Sequence, residues 1–459
     1  MPSPSKLILP ALTIWAVTLT VILTRTGWWG LGALILAGII CSLVWPAGLI
    51  TVIAGLGALA VSWVRVWRAD HAAWADTLRA HVEAVSSTTN GGWLVTAGPL
   101  PILVHGTPPP VGAVIDVTVS ITESNRPSVS GVFAVAREWS LVADPHGWAR
   151  ITADIHARYL DAVSWLGHTG ARGLIPGMVL GDTSLQSPES IQLYAQVGLS
   201  HLSAVSGSNV AIVTTACALL VWWAGPKLRI GVGVGALLVY VGIVGLEPSV
   251  LRAAVTGMVG FIAVASARRT DPIHALSVAV IGLILWDSDL AVSYGFALSV
   301  VATAGIVIVS PVFAAPLLRT GLPPVVVRAI AVAIAADLTT MPIVAMMTSR
   351  VSTVSVVANV LADPAVAPVT ILGLIAVPLC YLPGGLERIP LFVAEPCARW
   401  VDTVAHTVSA FPLAQLPVPA GFLGVGWVCV IVGWLIWAMG WWGLRYNVPR
   451  VSSSHSRRG

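Results

Sequence analysis

The densest group of polar side chains is the sequence GLSHLSAVSGSN at residues 198–209, at the start of an apolar stretch. It contains His201, four serines and Asn209, and it leads directly into the run VAIVTTACALL. Polar groups at a membrane entrance are costly unless they are hydrogen-bonded or hydrated. In one interpretation, Ser206 or Asn209 caps the backbone N–H groups of a helix that begins near Gly207. In the other, these residues line the entrance of a substrate path, and the sequence leaves both open.

A serine nucleophile fits this group poorly. The pattern A-V-S-G around Ser206 lacks the leading glycine of a G-x-S-x-G elbow. His201 or His274 could act as a base, but no acidic residue lies near His201 in sequence to orient it. The ten histidines are scattered, without an H-E-x-x-H or H-x-H-x-D-H motif. We therefore predict no catalytic residue, metal site or cofactor, and an intramembrane serine hydrolase stays only as a second alternative.

A second polar group is E-P-S-V-L-R, which opens another apolar stretch at residues 247–252. Pro248 suits the first turn of a helix, and Glu247 is favourable at the positive helix N-terminus. Arg252 then falls about one turn inside the apolar region, where it needs a carboxylate, a backbone carbonyl or water. A structural ion pair between spans and a place in a substrate path are both compatible with this position.

Asp337 lies near the middle of a predicted span at 325–347. Pro342 follows it and cannot donate a backbone hydrogen bond, so the sequence predicts that the helix opens close to the carboxylate. In the next apolar stretch Asn359 and Asp363 are four residues apart, which places them on one helical face.

Two prolines, Pro364 and Pro368, then interrupt that same stretch. Broken helices with polar groups at membrane depth are how many transporters build a pathway. A polar cluster that only holds helices together is the alternative, and we favour the pathway because the chain has so few charges.

The composition identifies the class of protein. Of 459 residues, 56% are hydrophobic and only 10% are charged, whereas soluble domains carry about 25% charged residues. A polytopic α-helical membrane protein of about twelve spans is therefore predicted. The expected spans are 7–24, 28–45, 47–64, 205–224, 230–246, 250–267, 274–286, 295–318, 325–347, 353–379, 389–411 and 421–443.

The distribution of basic residues predicts the orientation. The tail at 445–459 carries four arginines, and alternate loops of the C-terminal half, including the loop that ends at Arg388, carry most of the others and are expected on the side of the tail. This predicts a multi-pass protein of the cell membrane with a cytoplasmic C-terminus, and it places residues 65–200 outside the cytoplasm. Arg25 and Arg65 then lie outside as well, against the general pattern.

The polar middle of the chain is composite. Residues 66–84 are predicted to form an amphipathic helix, and 150–166 another. Between about 91 and 150, short β-branched runs separated by Gly- and Pro-rich turns predict a small β-barrel or sandwich. Residues 170–200 are too polar for a span and could lie at the membrane interface. The expected domains are N-terminal spans at 1–64, an extracytoplasmic region with an OB-like β-domain at 65–168, a transmembrane channel domain at 169–445 and a basic tail at 446–459.

Several stretches together resemble the ComEC-type competence proteins. They are GLIPGMVLGDTS, AQVGLSHLSAVSGSNVAIV, GLEPSVLRAAVTGMVGF, SYGFALSVVATAGI, TTMPIVAMM and VSVVANVLADP, in order along about 170–370. The polar region before them is similar in placement to that family's extracytoplasmic OB-like domain. The resemblance implies a non-enzymatic membrane channel that admits one DNA strand during natural transformation.

The resemblance also assigns roles to residues of this chain. For the DNA path it implies His201, Ser206, Gly207, Arg252 and Asn359, which match the family's blocks. The polar residues Asn209, Asp337 and Asp363, singled out above from their positions in apolar stretches, complete the predicted path. As structural signature residues the resemblance implies Gly181, Asp182, Glu247, Pro248, Ser249, Pro342 and Pro364. The implied partners are single-stranded DNA, membrane lipids, other DNA-uptake proteins and a separate nuclease, with a homo-oligomer left open.

The chain departs from the family pattern in three ways. Asn209 stands where many relatives have histidine, and Ala297 stands where many have glutamine. The C-terminal metallo-β-lactamase-like domain of longer members does not follow the last span, so strand degradation is expected from another protein. The region 86–163 has four arginines against six acidic residues, the wrong sign for attracting phosphates. A small-solute permease that uses Asp337 and Asp363 is therefore kept as an alternative to the DNA channel.

Overall fold

The computed structural model describes residues 7–44, 48–72, 75–82, 84–87, 92–97, 100–203, 205–245, 248–265 and 271–445. Its α-helices are α1 Ile8–Thr24, α2 Gly27–Val44, α3 Gly48–Asp70, α4 Trp148–Val163, α5 Thr169–Leu180, α6 Pro188–Gln196, α7 Gly207–Leu220, α8 Pro226–Val244, α9 Pro248–Ala265, α10 Pro272–Trp286, α11 Tyr294–Leu317, α12 Pro324–Thr348, α13 Ser355–Leu379, α14 Arg388–Ser409 and α15 Phe422–Arg445. The basic tail at 446–459 lies outside the described residues.

Each of the twelve predicted spans overlaps one helix of the structure over most of its length. Six helices of the described chain are long and apolar enough to cross a membrane, namely α3, α8, α11, α12, α13 and α15. Four more apolar helices are shorter. The membrane class is thereby confirmed, whereas the count of twelve spans stays a prediction.

The polar middle region forms a six-stranded sheet. Its strands are β1 Thr77–His81, β2 Ala84–Ser87, β3 Trp93–Ala97, β4 Leu100–Val104, β5 Val114–Glu123 and β6 Val132–Ala143, in the spatial order β1-β5-β6-β4-β3-β2. The predicted amphipathic helix at 66–84 is therefore wrong over its second half. Leu78, Ala80 and Val82 alternate with polar residues, and this period of two places them on the buried face of the sheet.

The sheet closes on itself. Strands β1 and β2 occupy its opposite edges, yet only two residues separate them along the chain. Neighbouring strands are antiparallel except β4 and β6, which pair in parallel. The enclosed core consists of small and β-branched side chains, including Val95, Ile102 and Ile115.

The largest hydrophobic core lies among α4, α5, α6, α13 and α14. Helix α5 is almost wholly buried in it, so this part of residues 170–200 contributes to the protein interior, and its place at the membrane interface stays a prediction. Asp402 of α14 is 5% exposed in this core and accepts a 2.7 Å hydrogen bond from the Tyr194 hydroxyl of α6. This hydrogen bond offsets part of the cost of removing the carboxylate from water.

Arg25 and Arg65, the two arginines that contradicted the charge pattern, have specific partners. Arg25 ends α1, pairs with Asp70 and donates to two backbone carbonyls of the β5–β6 loop at 128–129. Arg65 donates to the carbonyls of residues 285–286 and to a serine hydroxyl that follows them. These bonds fasten the N-terminal helices to the β-domain and to the end of α10.

The turn between α13 and α14 contradicts the simple alternation of spans. That turn was expected in the cytoplasm, and α4 outside it. However, the Tyr381 hydroxyl of the turn donates a 2.8 Å hydrogen bond to Asp154 of α4. The Arg388 guanidinium also lies 5.9 Å from the Trp165 ring centroid just after α4. These segments therefore share one side, and at least one of the two assignments is wrong.

The expected helix breaks are also wrong. Helix α12 continues through Pro342, and α13 continues through Pro364, Pro368 and a further proline. Each proline removes one backbone hydrogen bond, but packing of the flanking turns keeps both helices continuous. Polar groups at this depth are therefore carried on intact helices.

Candidate functional site

Five helices of the C-terminal half form a closed ring. Helix α7 packs against α9, α9 against α11, α11 against α12, α12 against α13, and α13 against α7. Each of the five carries a polar side chain that the sequence places close to or inside its apolar stretch. These side chains are Ser206 at the start of α7, Arg252 of α9, Ser299 of α11, Asp337 of α12 and Ser355 of α13.

The first contact in the ring joins the polar group at residues 198–209 to the polar group at residues 247–252. Ser249 donates a 3.3 Å hydrogen bond to the carbonyl of Val205. A Cβ added at Gly207 would lie only 2.6 Å from an Nη atom of Arg252, so the guanidinium packs directly on the glycine backbone. Because Gly207 has no side chain, Arg252 can lie directly against the first turn of α7.

Arg252 has no carboxylate partner among the described residues. It is 8% exposed, and its Nε atom donates a 2.6 Å hydrogen bond to the Ser299 hydroxyl. The predicted interhelical ion pair is therefore not formed within the described chain. Glu247, which belongs to the same block, lies outside the described residues, and Pro248 begins α9.

Ser206 occupies the N-cap position of α7, but its side chain makes no capping hydrogen bond. Its hydroxyl lies 2.6 Å from the Ser208 hydroxyl instead. Asn209 also does not cap the helix, since its amide donates to the carbonyl of Met178 while it is only 2% exposed. Asn209 therefore joins α7 to α5, and the first turn of α7 keeps free backbone N–H groups.

Asp337 and the loop before α7 meet through α13. The Ser355 hydroxyl, at the first turn of α13, donates a 3.4 Å hydrogen bond to the carbonyl of Ser352 and is close enough to the Asp337 carboxylate to interact with it. Gly198 packs on the other side of Ser355, where an added Cβ would lie 2.6 Å from the serine Cβ. Gly198 has a φ of +79°, which L side chains rarely adopt. The close packing and the backbone conformation both require glycine there.

His201 is exposed, yet protein surrounds it closely enough to perturb its ionisation. Desolvation lowers the pKa of His201, opposed in part by its interaction with the Gly198 backbone. The lowered pKa favours the neutral imidazole, and the place of His201 at the entrance of a path stays a prediction.

Asn359 and Asp363 follow Ser355 at intervals of four along α13 and so share its face. The side-chain oxygen of Asn359 is buried and has no hydrogen-bond partner. Asp363 is exposed two turns further along the helix. The structure therefore brings Asp337 and Ser355 together, and the same face of α13 carries Asn359 and then Asp363.

Gly181 and Asp182 lie outside the ring and have structural roles. Gly181 ends α5 in a left-handed conformation, with a φ of +79°. The Asp182 carboxylate lies 3.1 Å from a ring nitrogen of His156 and accepts a bond from the backbone of Ser184. Burial alone would raise the pKa of Asp182, but the bonds from His156 and Ser184 outweigh it and lower that pKa.

Ser299, Ser355 and Gly198 are site residues that sequence reasoning did not single out. Ser355 precedes Asn359 by one turn, which is a usable signal once α13 is assigned. Ser299 has no such signal, because only the packing of α9 on α11 brings it to Arg252. Within the described residues, no group of three or more histidine, cysteine or acidic side chains could hold a metal ion.

Comparison with known families agrees with the placement of these blocks. A family model described as competence protein matches residues 178–445, which is more than half of the chain and includes the whole ring. No curated protein and no solved structure matches the chain. The signature blocks that meet at Gly207 and Arg252 all lie inside the matched range, and the chain belongs to the ComEC-type competence protein family.

Proposed function

We propose that this protein is a channel of the plasma membrane that passes single-stranded DNA into the cytoplasm during natural transformation. The observation that carries the proposal is the closed ring of α7, α9, α11, α12 and α13, each with a polar side chain. Polar groups on intact helices inside a membrane protein face a bundle interior or a water-filled path. Arg252 adds a positive charge without a described counter-ion, which suits a polyanion.

In this proposal the β-domain receives the strand outside the cytoplasm. Strands β1 and β2 count as one bent strand, which gives a closed five-stranded Greek-key barrel with one parallel pair. That arrangement supports an OB-like domain. Its net negative charge means that stacking on bases would contribute more than attraction to phosphates.

The proposal further holds that the C-terminus is cytoplasmic and that the pore is not an enzyme. The turn between α13 and α14 then lies outside with α4, and α15 rather than α14 crosses the membrane after it. The complementary strand would then be degraded by a separate nuclease, and other DNA-uptake proteins would deliver the DNA. His201, exposed in the loop before α7, would lie at the entrance of the path. Asp337, Asn359 and Asp363 lie along it.

DNase-resistant uptake of labelled DNA tests the proposal in a transformable host with its own copy deleted. Cells would be complemented with the wild type, with Arg252→Gln and with the matched control Arg229→Gln, an exposed arginine of α8 outside the ring. We expect deletion and Arg252→Gln to lose internalised label while surface binding and membrane levels persist, and the control to restore uptake. Unchanged uptake after deletion would refute the channel.

A small-solute permease is the second candidate. It is favoured by one observation, namely that the Asp337 carboxylate in the ring interacts with a hydroxyl and with no described cation. Such a carboxylate could bind a proton or a small cation during transport. Asp337→Asn would abolish pH-dependent solute transport under this hypothesis, whereas a DNA channel would retain most uptake because the substitution removes a repulsive charge.

A further inference from the structure

We infer that the N-terminus of α7 and the guanidinium of Arg252 together bind one phosphodiester group of the translocating strand. This site, the α7 phosphate site, consists of the backbone N–H groups of Gly207 and Ser208, the side chain of Arg252 and the hydroxyls of Ser206 and Ser208. The inference rests on the proposed function, because it names the part of the substrate that the ring holds.

The free N–H groups are the first reason. Helix α7 has fourteen residues, and the partial positive charge at its N-terminus favours an anion. The carbonyl of Ser206 accepts the N–H groups of residues 209 and 210. The N–H groups of Gly207 and Ser208 have no acceptor within the described chain, and no side chain caps them.

Arg252 is the second and independent reason. Only its Nε–H is used, by Ser299, so both terminal nitrogens lack a protein acceptor among the described residues. The side chain is nevertheless 8% exposed, and one of these nitrogens points at the backbone of Gly207. A buried guanidinium beside a positive helix end is electrostatically unfavourable unless an anion contacts them both.

The chemistry of the donors favours a phosphodiester. A phosphate offers several oxygens in a tetrahedral arrangement, so it can accept from the backbone and from the arginine fork together. The paired hydroxyls of Ser206 and Ser208 add donors that can rotate toward it. Because Gly207 has no Cβ, the guanidinium approaches the first turn of α7 closely, so the arginine and the backbone donors lie near enough to share one phosphate.

Two sources could supply this group, a DNA strand or a phospholipid headgroup. The site lies where α9 packs against both α7 and α11, and these three helices belong to the closed ring. A lipid would have to reach it from the outside of the bundle, whereas a strand in the path passes it directly. We therefore assign the site to the DNA backbone.

The salt dependence of DNA binding tests the site on full-length protein in phospholipid nanodiscs. The plot of log K against log salt has a negative slope, and each phosphate contact that is lost reduces the magnitude of that slope by about 0.7 for single strands. Titration of a labelled oligothymidylate should show this decrease for Arg252→Gln, with an affinity about tenfold weaker at low salt. Arg252→Lys should keep the wild-type slope, because it keeps the charge, and Arg229→Gln should change nothing.

The outcomes separate this site from the channel itself. If deletion abolishes DNA uptake but Arg252→Gln leaves the slope unchanged, the phosphate site is wrong and the channel stands. If wild type does not bind the strand and deletion leaves uptake intact, the proposed function fails first. Arg252→Lys keeps the charge and therefore separates loss of the phosphate contact from a general disturbance of the protein. If Arg252→Lys, present at normal membrane levels, shows the same reduced slope as Arg252→Gln, the site is also wrong.

Two further variants exclude other occupants. If Glu247 were the counter-ion of Arg252, Glu247→Gln would increase the affinity for the strand and steepen the salt dependence. That result would identify the partner of Arg252 as Glu247 rather than a phosphate. If a lipid headgroup occupied the site, native mass spectrometry would show a bound phospholipid that Arg252→Gln loses while the DNA slope is unchanged. Either result would overturn the assignment to DNA.

Discussion

Replacing Gly198 by alanine should disrupt the loop that closes the ring, and the size of the effect follows from two separate costs. The φ of +79° places a side chain in the left-handed region, which costs about 1–2 kcal/mol. The added Cβ would also lie 2.6 Å from the Cβ of Ser355. Since carbon atoms pack at about 3.5–4 Å, the loop or α13 must move by about 1 Å. Such overpacking typically costs about 1–3 kcal/mol.

Gly321 provides a matched control for the first cost alone. Its φ is +80°, and nothing lies within 4 Å of an added Cβ. Gly321→Ala should therefore show only the left-handed penalty, and Gly198→Ala should be less stable by about a further 1–3 kcal/mol. Thermal unfolding of the purified protein in detergent measures the difference, and DNase-resistant uptake measures its effect on transport.

A compensating substitution separates packing from other causes. Ser355→Gly removes the Cβ that Gly198→Ala would contact, so the double variant should regain stability relative to Gly198→Ala alone. Ser355→Gly by itself reports the loss of the interaction with Asp337. Equal destabilisation by Gly198→Ala and Gly321→Ala, or no recovery in the double variant, would refute the argument that this close packing positions the loop.

Three other substitutions test the surroundings of the site. Tyr194→Phe leaves the buried Asp402 without its hydroxyl donor, and thermal unfolding should show a loss of about 1.5–3 kcal/mol; an unchanged melting temperature would mean that water replaces the hydroxyl. The pKa of Asp182 is lowered in the folded protein. The ionised carboxylate therefore stabilises the folded state at pH values above its unfolded-state pKa of 3.8, and this stabilisation is lost as the pH falls through the folded-state pKa. Melting curves between about pH 7 and pH 3 should therefore show Asp182→Asn less stable than wild type at neutral pH and the gap closing in acid, and a constant gap would contradict the bond from His156. Gly305→Leu should prevent the close packing of α11 on Thr339 of α12 and lower the yield of folded protein, measured by size-exclusion chromatography beside Gly282→Leu, a glycine with open space around it.

The positions of the membrane helices could be predicted from the sequence because each is a long apolar run between charged or Pro- and Gly-rich turns. The region around Leu78 could not, because its apolar residues fit both a helical and an alternating pattern. Pairing with β5 decides in favour of a strand, and that pairing is not local.

The candidate site was predictable in its members but not in its contacts. His201, Arg252 and Asp337 are conspicuous because polar residues are rare in apolar stretches. Ser355, by contrast, becomes part of the site only through its neighbours, Asp337 on one side and Gly198 on the other. The capping role considered for Ser206 was wrong because its hydroxyl bonds to another serine, a choice that composition cannot reveal.

The closed ring also constrains how the protein is made. Its members are separated along the chain, and α7 meets α13 only after every intervening helix has been synthesised. Arg252 therefore enters the bilayer before Ser299 exists to accept its hydrogen bond, at a cost that its place near the helix end reduces. Until α13 is made, the bundle is open between α7 and α12, and Gly198 and Asp337 lack their shared neighbour Ser355. Completion of α13 is consequently the step that closes the ring of contacts, so a chain that ended before it would leave the carboxylate of Asp337 without the hydroxyl beside it.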